Sequence, residues 1–260
     1  MKIVALVKQV PDTETKIKLT ADGKALETAG IKYVVNPYDE FAIEEAVRIK
    51  EKNSGSTVIA VGMGPERMKE ALRTALAMGA DEGIYIAEEN LPGKDGLITA
   101  RLLAEAIKSL SPDLVICGKQ AIDDDEGRVG PALSHYLELP FVANVTKLTV
   151  ESGKLNLHRE LEGRTEVMEV ALPAVVSAQK GLNEPRYPSL INIMQAKKKT
   201  ISELKPEQLL GNDELSKLST LEETGLNLPP AREKGRKLQG DPEQMVKEIV
   251  TFLTETVKIS

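Results

Sequence analysis

Along the first 140 or so residues, hydrophobic positions fall into two alternating patterns. The runs "KIVALVK", "STVIAVG", "GIYIA" and "DLVICG" are short, continuous and rich in β-branched residues, as expected of strands buried on both faces. Between them apolar residues recur at helical spacing. In "NPYDEFAIEEAVRIKEK" the stripe is Ala42, Ile43, Ala46, Val47 and Ile49, with Glu44 and Arg48 as an outer i,i+4 pair. In "MGPERMKEALRTALAMGA" it is Met68, Ala71, Leu72, Ala75 and Leu76, closed by Gly79. "DGLITARLLAEAIKSL" follows with Asp95 as its cap, and a short helix is expected over about 127–137. This alternation predicts an α/β fold: a mostly parallel sheet covered by helices on both faces.

From Val142 to Ala178 the pattern changes. "VTKLTV", "KLNLHRELEG", "TEVMEVAL" and "AVVSA" are too closely spaced for crossover helices, which predicts an antiparallel β extension. "KIKLTADGKALETA" reads as a hairpin excursion around its Asp-Gly pair. After Lys197 the chain turns polar and Pro-bearing, then ends in an amphipathic helix opened by Asp241 and Pro242. The expected organisation is an α/β domain over 1–199, and an arm over 200–260 that packs on another chain.

Composition removes several function classes. A formal net charge of −6 argues against non-specific binding of nucleic acid, and Lys197–Lys199 read as a solvated turn. Cys117 is the one cysteine, so an internal disulfide or CxxC pair is excluded; inside an apolar strand it reads as inert core. Neither His135 nor His158 has the spacing of a zinc site or a catalytic triad. No window reaches the roughly 18 apolar residues of a membrane helix. The opening "MKIVALVKQV" reads as a first strand rather than a leader, which points to the cytoplasm.

Candidate chemistry gathers beyond the carboxyl ends of the strands, where open α/β sheets bind ligands. Asn36–Asp39, the "GMGP" of Gly62–Pro65, and "GKQAIDDDEGRVGP" all combine a helix start with small or turn-forming residues. Free N–H groups at such starts attract phosphate, so a nucleotide is a reasonable ligand although GxGxxG and GxxxxGK[ST] are absent. Asn36 is a candidate cap with Pro37 at the first helical position and Asp39 in a capping-box-like arrangement. For Asp123, Asp124 and Asp125 the residues leave open a helix cap, a metal site, paired-carboxylate chemistry, or the rim of a phosphate pocket flanked by Lys119 and Arg128. Asp125 is the best-placed cap.

"VKQVPD", "NPYDEFAIEEAVRIKEK", "ALRTALAMGAD", "GKQAIDDDEG", "LPAVVSAQKGLNEPRY" and "NIMQAKKK" occur in an order that resembles the β (small) subunit of electron transfer flavoprotein, from Met1 to about Lys199. Beyond Lys199 the likeness rests on an arm and final helix of similar length. The resemblance implies an adenine-nucleotide-binding α/β fold and a heterodimer with a larger α subunit, carrying electrons from dehydrogenases to a membrane quinone oxidoreductase. On that resemblance it would be an electron carrier without a catalytic side chain of its own. FAD would be held mainly by the α subunit, with Tyr38 approaching the flavin. A second nucleotide, AMP, would lie within this chain, at positions matching Leu6, Asn36, Pro37, Tyr38, Asp39 and Met63. The loop after "DLVIC" would complete that pocket through Gly118, Lys119, Gln120, Ala121, Ile122 and Asp123, then Asp124, Asp125, Glu126, Gly127, Arg128 and Val129. Leu182 would plug a pocket on the client dehydrogenase from a recognition loop with Asn183, Glu184, Pro185, Arg186 and Tyr187. One departure is the "VGP" after Arg128, which is similar to the electron-bifurcating branch, where the second nucleotide is FAD. The competing class is a stand-alone nucleotide-binding regulatory domain, which requires neither arm nor recognition loop.

Overall fold

The computed structural model describes residues 1–89, 95–218, 221, 224–231, 235 and 237–259. The chain opens with β1 (Lys2–Leu6), β2 (Gln9–Pro11) and β3 (Tyr33–Val35), then α1 (Pro37–Lys52), β4 (Thr57–Gly64), α2 (Met68–Met78) and β5 (Glu82–Ala87). It continues through α3 (Gly96–Lys108), β6 (Leu114–Gly118), α4 (Val129–Leu137), β7 (Phe141–Glu151), β8 (Lys154–Leu161), β9 (Arg164–Ala171) and β10 (Ala174–Ala178). The last elements are α5 (Leu190–Ala196), β11 (Ile201–Leu204), α6 (Pro206–Leu209), α7 (Asn212–Leu218) and α8 (Pro242–Thr251), which runs on into a π-helical segment over Phe252–Thr256. Nine strands form one sheet in the order β11-β5-β4-β1-β6-β10-β7-β8-β9, while β2 and β3 pair apart from it. Pairing is parallel from β11 to β7 and antiparallel from β7 to β9.

Period-two alternation along β1 builds the core on both faces. Ile3 and Ala5 face α1 and α2, whereas Val4 and Leu6 face α3 and α4. The stripes read from α1 and α2 are buried as expected, and Asp95 caps α3 by accepting from Leu97 N and Ile98 N at 2.9 Å each. Cys117 is buried, and burial pushes its thiol up to about 12, the environment of an inert side chain.

Three expectations need correction. "AVVSA" is not part of the antiparallel extension: β10 lies parallel between β6 and β7. The crossover that carries the chain there is the β8–β9 hairpin rather than a helix. The chain after Lys199 does not leave the sheet at once either, since Ile201–Leu204 pair with Gly83–Ile86 and Leu209 and Leu210 pack against α3 residues Ile98 and Leu102. Lys199 is not simply solvated; its ammonium donates to Leu76 O and Ala80 O at the end of α2.

One compact unit comprises Met1–Ile17 and Glu27–Thr224. A second comprises Lys18–Leu26 and Gly225–Ser260. In the second unit the expected hairpin shrinks to a turn, with Leu19 opposite Leu26 and Thr20 N 2.9 Å from Ala25 O. Its α8 begins after Asp241 as expected and leaves Val246, Ile249 and Val250 exposed. Among the described residues, no helix is long and apolar enough to cross a membrane.

Candidate functional site

The central strand β1 is flanked by β4 and β6. From β1 the chain builds β4 and β5 on one side, then crosses through α3 to β6 on the other. That reversal is where a ligand crevice is expected, at the carboxyl ends of β1, β4 and β6. Gly62 and Gly118 sit at two of those ends, and both are places where backbone comes close. A Cβ on Gly62 would lie 2.9 Å from Val7 O; one on Gly118 would collide with Asp39 Oδ1 and lie 2.8 Å from Tyr38 Cβ. Pro37 and Tyr38 thus enter the site through the start of α1. Leu6 is buried in the core beneath α3 and α4, and Met63 is partly buried beside Ile98 and Leu102.

Asn36 and Asp39 depart from their expected capping roles because β6 and its loop offer them better partners. The buried Asn36 amide spans the loop after β6: its Nδ2 donates to Gln120 O at 2.8 Å and its Oδ1 accepts from Ile122 N at 3.2 Å. Asp39 accepts from Lys8 N at 2.7 Å and from Gly118 N at 3.1 Å, which ties together the ends of β1 and β6. Burial pushes its carboxyl up to about 7, against the pull of those N–H groups toward the ionised form. The folded state therefore holds this proton above the unfolded value of 3.8; Asp39 favours folding below that pH, and the contribution is lost as the pH rises toward 7. Between about pH 4 and pH 7 the wild-type protein is expected to lose more thermal stability than Asp39→Asn, whose amide does not titrate. Parallel melting profiles for the two proteins would contradict this.

The loop accounts for its aspartates one by one. Asp123 Oδ1 and Asp124 Oδ2 converge on Lys8 Nζ at 2.7 and 2.8 Å, not on a shared ion position. Burial alone would lower the Lys8 pKa, but the two carboxylates outweigh it and hold the pKa above its ordinary value. Asp125 is not the cap of α4. It adopts φ +53° and accepts from Gln120 Nε2 at 2.6 Å, while Asp124 Oδ1 takes Glu126 N at 3.1 Å. Gly127, at φ +61°, turns the chain so that α4 begins at Val129 with Arg128 in the cap position and no side-chain cap bond. Its first N–H groups have no helical partner and remain available for an anion.

Lys119, just before the two residues that Asn36 clamps, and Ala121, between them, are partly buried. Arg128 pairs with Glu126 at 3.4 Å. A Cβ on Gly96 would be 3.1 Å from Arg128 Cβ, so α3 also starts against this loop. Lys8 is the residue that sequence reasoning missed, because a lone lysine after a strand carries no local signal. Gln9 was missed likewise: its Oε1 is buried and unpartnered among the described residues, and its backbone pairs with Val35 next to Asn36. A cavity of about 600 Å³ also lies between α3 and α4, lined by Arg101, Lys108, Ser134 and His135. It lies along the middle and end of α3 and the C-terminal half of α4, whereas the N-termini of both helices meet the loop.

The segment from Gly181 to Tyr187 runs along α1 with several side chains turned inward. Leu182 packs against the core, and Asn183 donates to Phe41 O and Glu45 Oε2 at 3.0 Å each. Arg186 pairs with Glu44 and Glu51, and Pro185 is partly buried, while Glu184 is exposed. Glu44 does pair with Arg48 as expected, but under this segment rather than on a solvated face. Tyr187 is 97% exposed, and the α5 residues Leu190, Ile191 and Met194 are 80%, 67% and 68% exposed. The apolar surface thus begins where the recognition loop was expected to end.

Residues 24–209 match the family model described as "Electron transfer flavoprotein domain". The electron transfer flavoprotein subunit beta of Bacillus subtilis (strain 168) is 41% identical over 262 residues, covering all of both chains. The subunit of that name from Syntrophomonas wolfei is 40% identical over all of this chain and 98% of the relative. The human one is 42% identical over 95% of this chain and 96% of its own. Matched through most of the sheet and, by its relatives, from end to end, the chain belongs to the family of electron transfer flavoprotein β subunits.

Proposed function

We propose that this chain is the nucleotide-binding half of a heterodimer whose α subunit holds most of an FAD. The pair takes electrons from dehydrogenases, acyl-CoA dehydrogenases among them, and passes them to a membrane quinone oxidoreductase from the cytoplasmic side. Bound flavin supplies the redox chemistry. This chain covers one side of the flavin at Tyr38 and binds AMP at the crevice. The single observation that carries the reading is the loop from Gly118 to Val129, tied down by Asn36, Asp39 and Lys8 so that it ends at an uncapped helix start. A rigid loop that presents free N–H groups suits one phosphate without a dedicated cation. Arg128, engaged with Glu126, is less free to neutralise a second one.

The reading with a second FAD, and with it electron bifurcation, draws support from Lys8. By pairing with Asp123 and Asp124 it removes much of the like charge that would oppose a pyrophosphate. The AMP reading is preferred because the clamped loop leaves one helix start for one phosphate.

Two regions are assigned to partners. Of the segment over 200–260, residues 201–210 stay on this chain's own sheet and α3, and the exposed apolar residues of α8 pack on the α subunit. Dehydrogenases dock at the 181–187 loop and its continuation into α5, with Leu190 rather than Leu182 as the anchor, since Leu182 is committed to the core. The chain expressed by itself is expected to be colourless and of low stability, and to enter a yellow 1:1 complex when the α subunit is co-expressed. Stoichiometric FAD on the isolated chain, with no rise in melting temperature on adding α, would contradict this.

A further inference from the structure

We infer that Arg186 and Arg73 are positioning residues that mount the docking surface on the two helices beneath it; this rests on the docking reading above. The apolar side chains of α5 project from a helix of seven residues, too short to hold its own shape. Its orientation must come from its two ends. At the leading end Arg186 makes a fork to α1: Nε is 2.8 Å from Glu44 Oε2 and Nη2 is 3.0 Å from Glu44 Oε1. The other edge of the guanidinium reaches Glu51, with Nη1 2.6 Å from Oε1 and Nη2 3.1 Å from Oε2. The Arg186 backbone N–H joins Glu44 at 3.2 Å. Glu44 is 3% exposed, so the fork works with little competition from water. At the trailing end Arg73 of α2 donates through Nη1 to Ala196 O, the last carbonyl of α5, and to Lys199 O in the turn beyond it, both at 2.6 Å. Between these mounts Ser189 caps the helix and Ala196 is buried, while Leu190, Ile191 and Met194 are left outward.

Arginine suits both places. Its planar guanidinium fixes direction as well as distance, which an ammonium does not. Removing Arg186 does not orphan Glu44, because Arg48 Nε stays 3.1 Å from Glu44 Oε1. The variants should therefore fold, and what they lose is the aim of α5.

The test uses the flavin-loaded heterodimer as electron acceptor for a purified acyl-CoA dehydrogenase. Arg186→Met and Arg73→Met should each raise the KM for the heterodimer about fivefold with kcat and flavin content unchanged, and the double variant about twentyfold or more. Amide exchange over 190–196 in the free heterodimer should accelerate about tenfold, a change confined to that segment. Arg186→Lys should recover part of the KM but not the slow exchange, since one ammonium cannot engage both glutamates. Leu190→Asp, which leaves both mounts intact, separates the two ideas. If it raises KM while the double arginine variant changes neither KM nor exchange, the mounting inference is overturned and the docking reading stands. If Leu190→Asp leaves KM unchanged, the docking reading is wrong and this inference falls with it.

Discussion

Gly118→Ala is expected to destabilise the protein by about 2–4 kcal/mol and to empty the nucleotide crevice. The added methyl has no room: it would collide with Asp39 Oδ1 and press on Tyr38 Cβ and the Tyr38 carbonyl carbon at 2.8 and 2.9 Å. None of these can yield easily. Asp39 is held by two backbone N–H groups and Tyr38 lies in the first turn of α1. Relief therefore requires β6 and α1 to separate, and with them the loop that Asn36 clamps. Urea unfolding of the heterodimer would show a lower midpoint at unchanged slope. An unchanged midpoint with full nucleotide content would contradict the close packing at this strand end.

Leu190→Asp is expected to raise the KM for the heterodimer with a client dehydrogenase by about a hundredfold, with flavin content and melting temperature unaltered. Leu190 is 80% exposed, so its loss touches nothing inside the chain, while a carboxylate in an apolar pocket on the partner goes unpaired. Leu182→Ala is expected to do the reverse. Its side chain packs against the core, so the variant should lose about 1–3 kcal/mol of stability with KM nearly constant. A large KM effect at Leu182 with none at Leu190 would return the anchor to the loop.

The parts of the fold legible in the sequence were those in which one local pattern has one structural meaning. The buried stripes of α1 and α2, the Asp95 cap and strands β1, β4, β5 and β6 all follow from spacing or from a single hydrogen-bonding side chain. The slot of β10 was not legible, because five apolar residues read alike in a parallel or an antiparallel neighbourhood. What decides it is the room left between β6 and β7, a long-range property. β11 escaped for the opposite reason: a four-residue edge strand with exposed Ser202 and Glu203 has too little apolar content to announce itself.

At the candidate site, Asn36, Asp39 and the loop after β6 do lie together, but with bonds other than those expected from the sequence. Asn36 and Asp39 have the chemistry of caps, yet tertiary donors and acceptors from β1, β6 and the loop outcompete the helix end. Asp125 lost its capping role to the left-handed turn at Gly127, and the pairing of the triplet with Lys8 joins residues 115 and 116 positions apart. Neither kind of partnership leaves a local trace.

The crevice at the ends of β1, β4 and β6 is the centre of this account, and the nucleotide released by the purified, denatured heterodimer tests it most directly. One FAD and one AMP per heterodimer, with AMP lost from Gly118→Ala while FAD is retained, is the expected result. Two FAD and no AMP would mean that the loop from Gly118 to Val129 holds a pyrophosphate, and would move the function toward bifurcation. FAD alone, with no second nucleotide, would contradict the site itself.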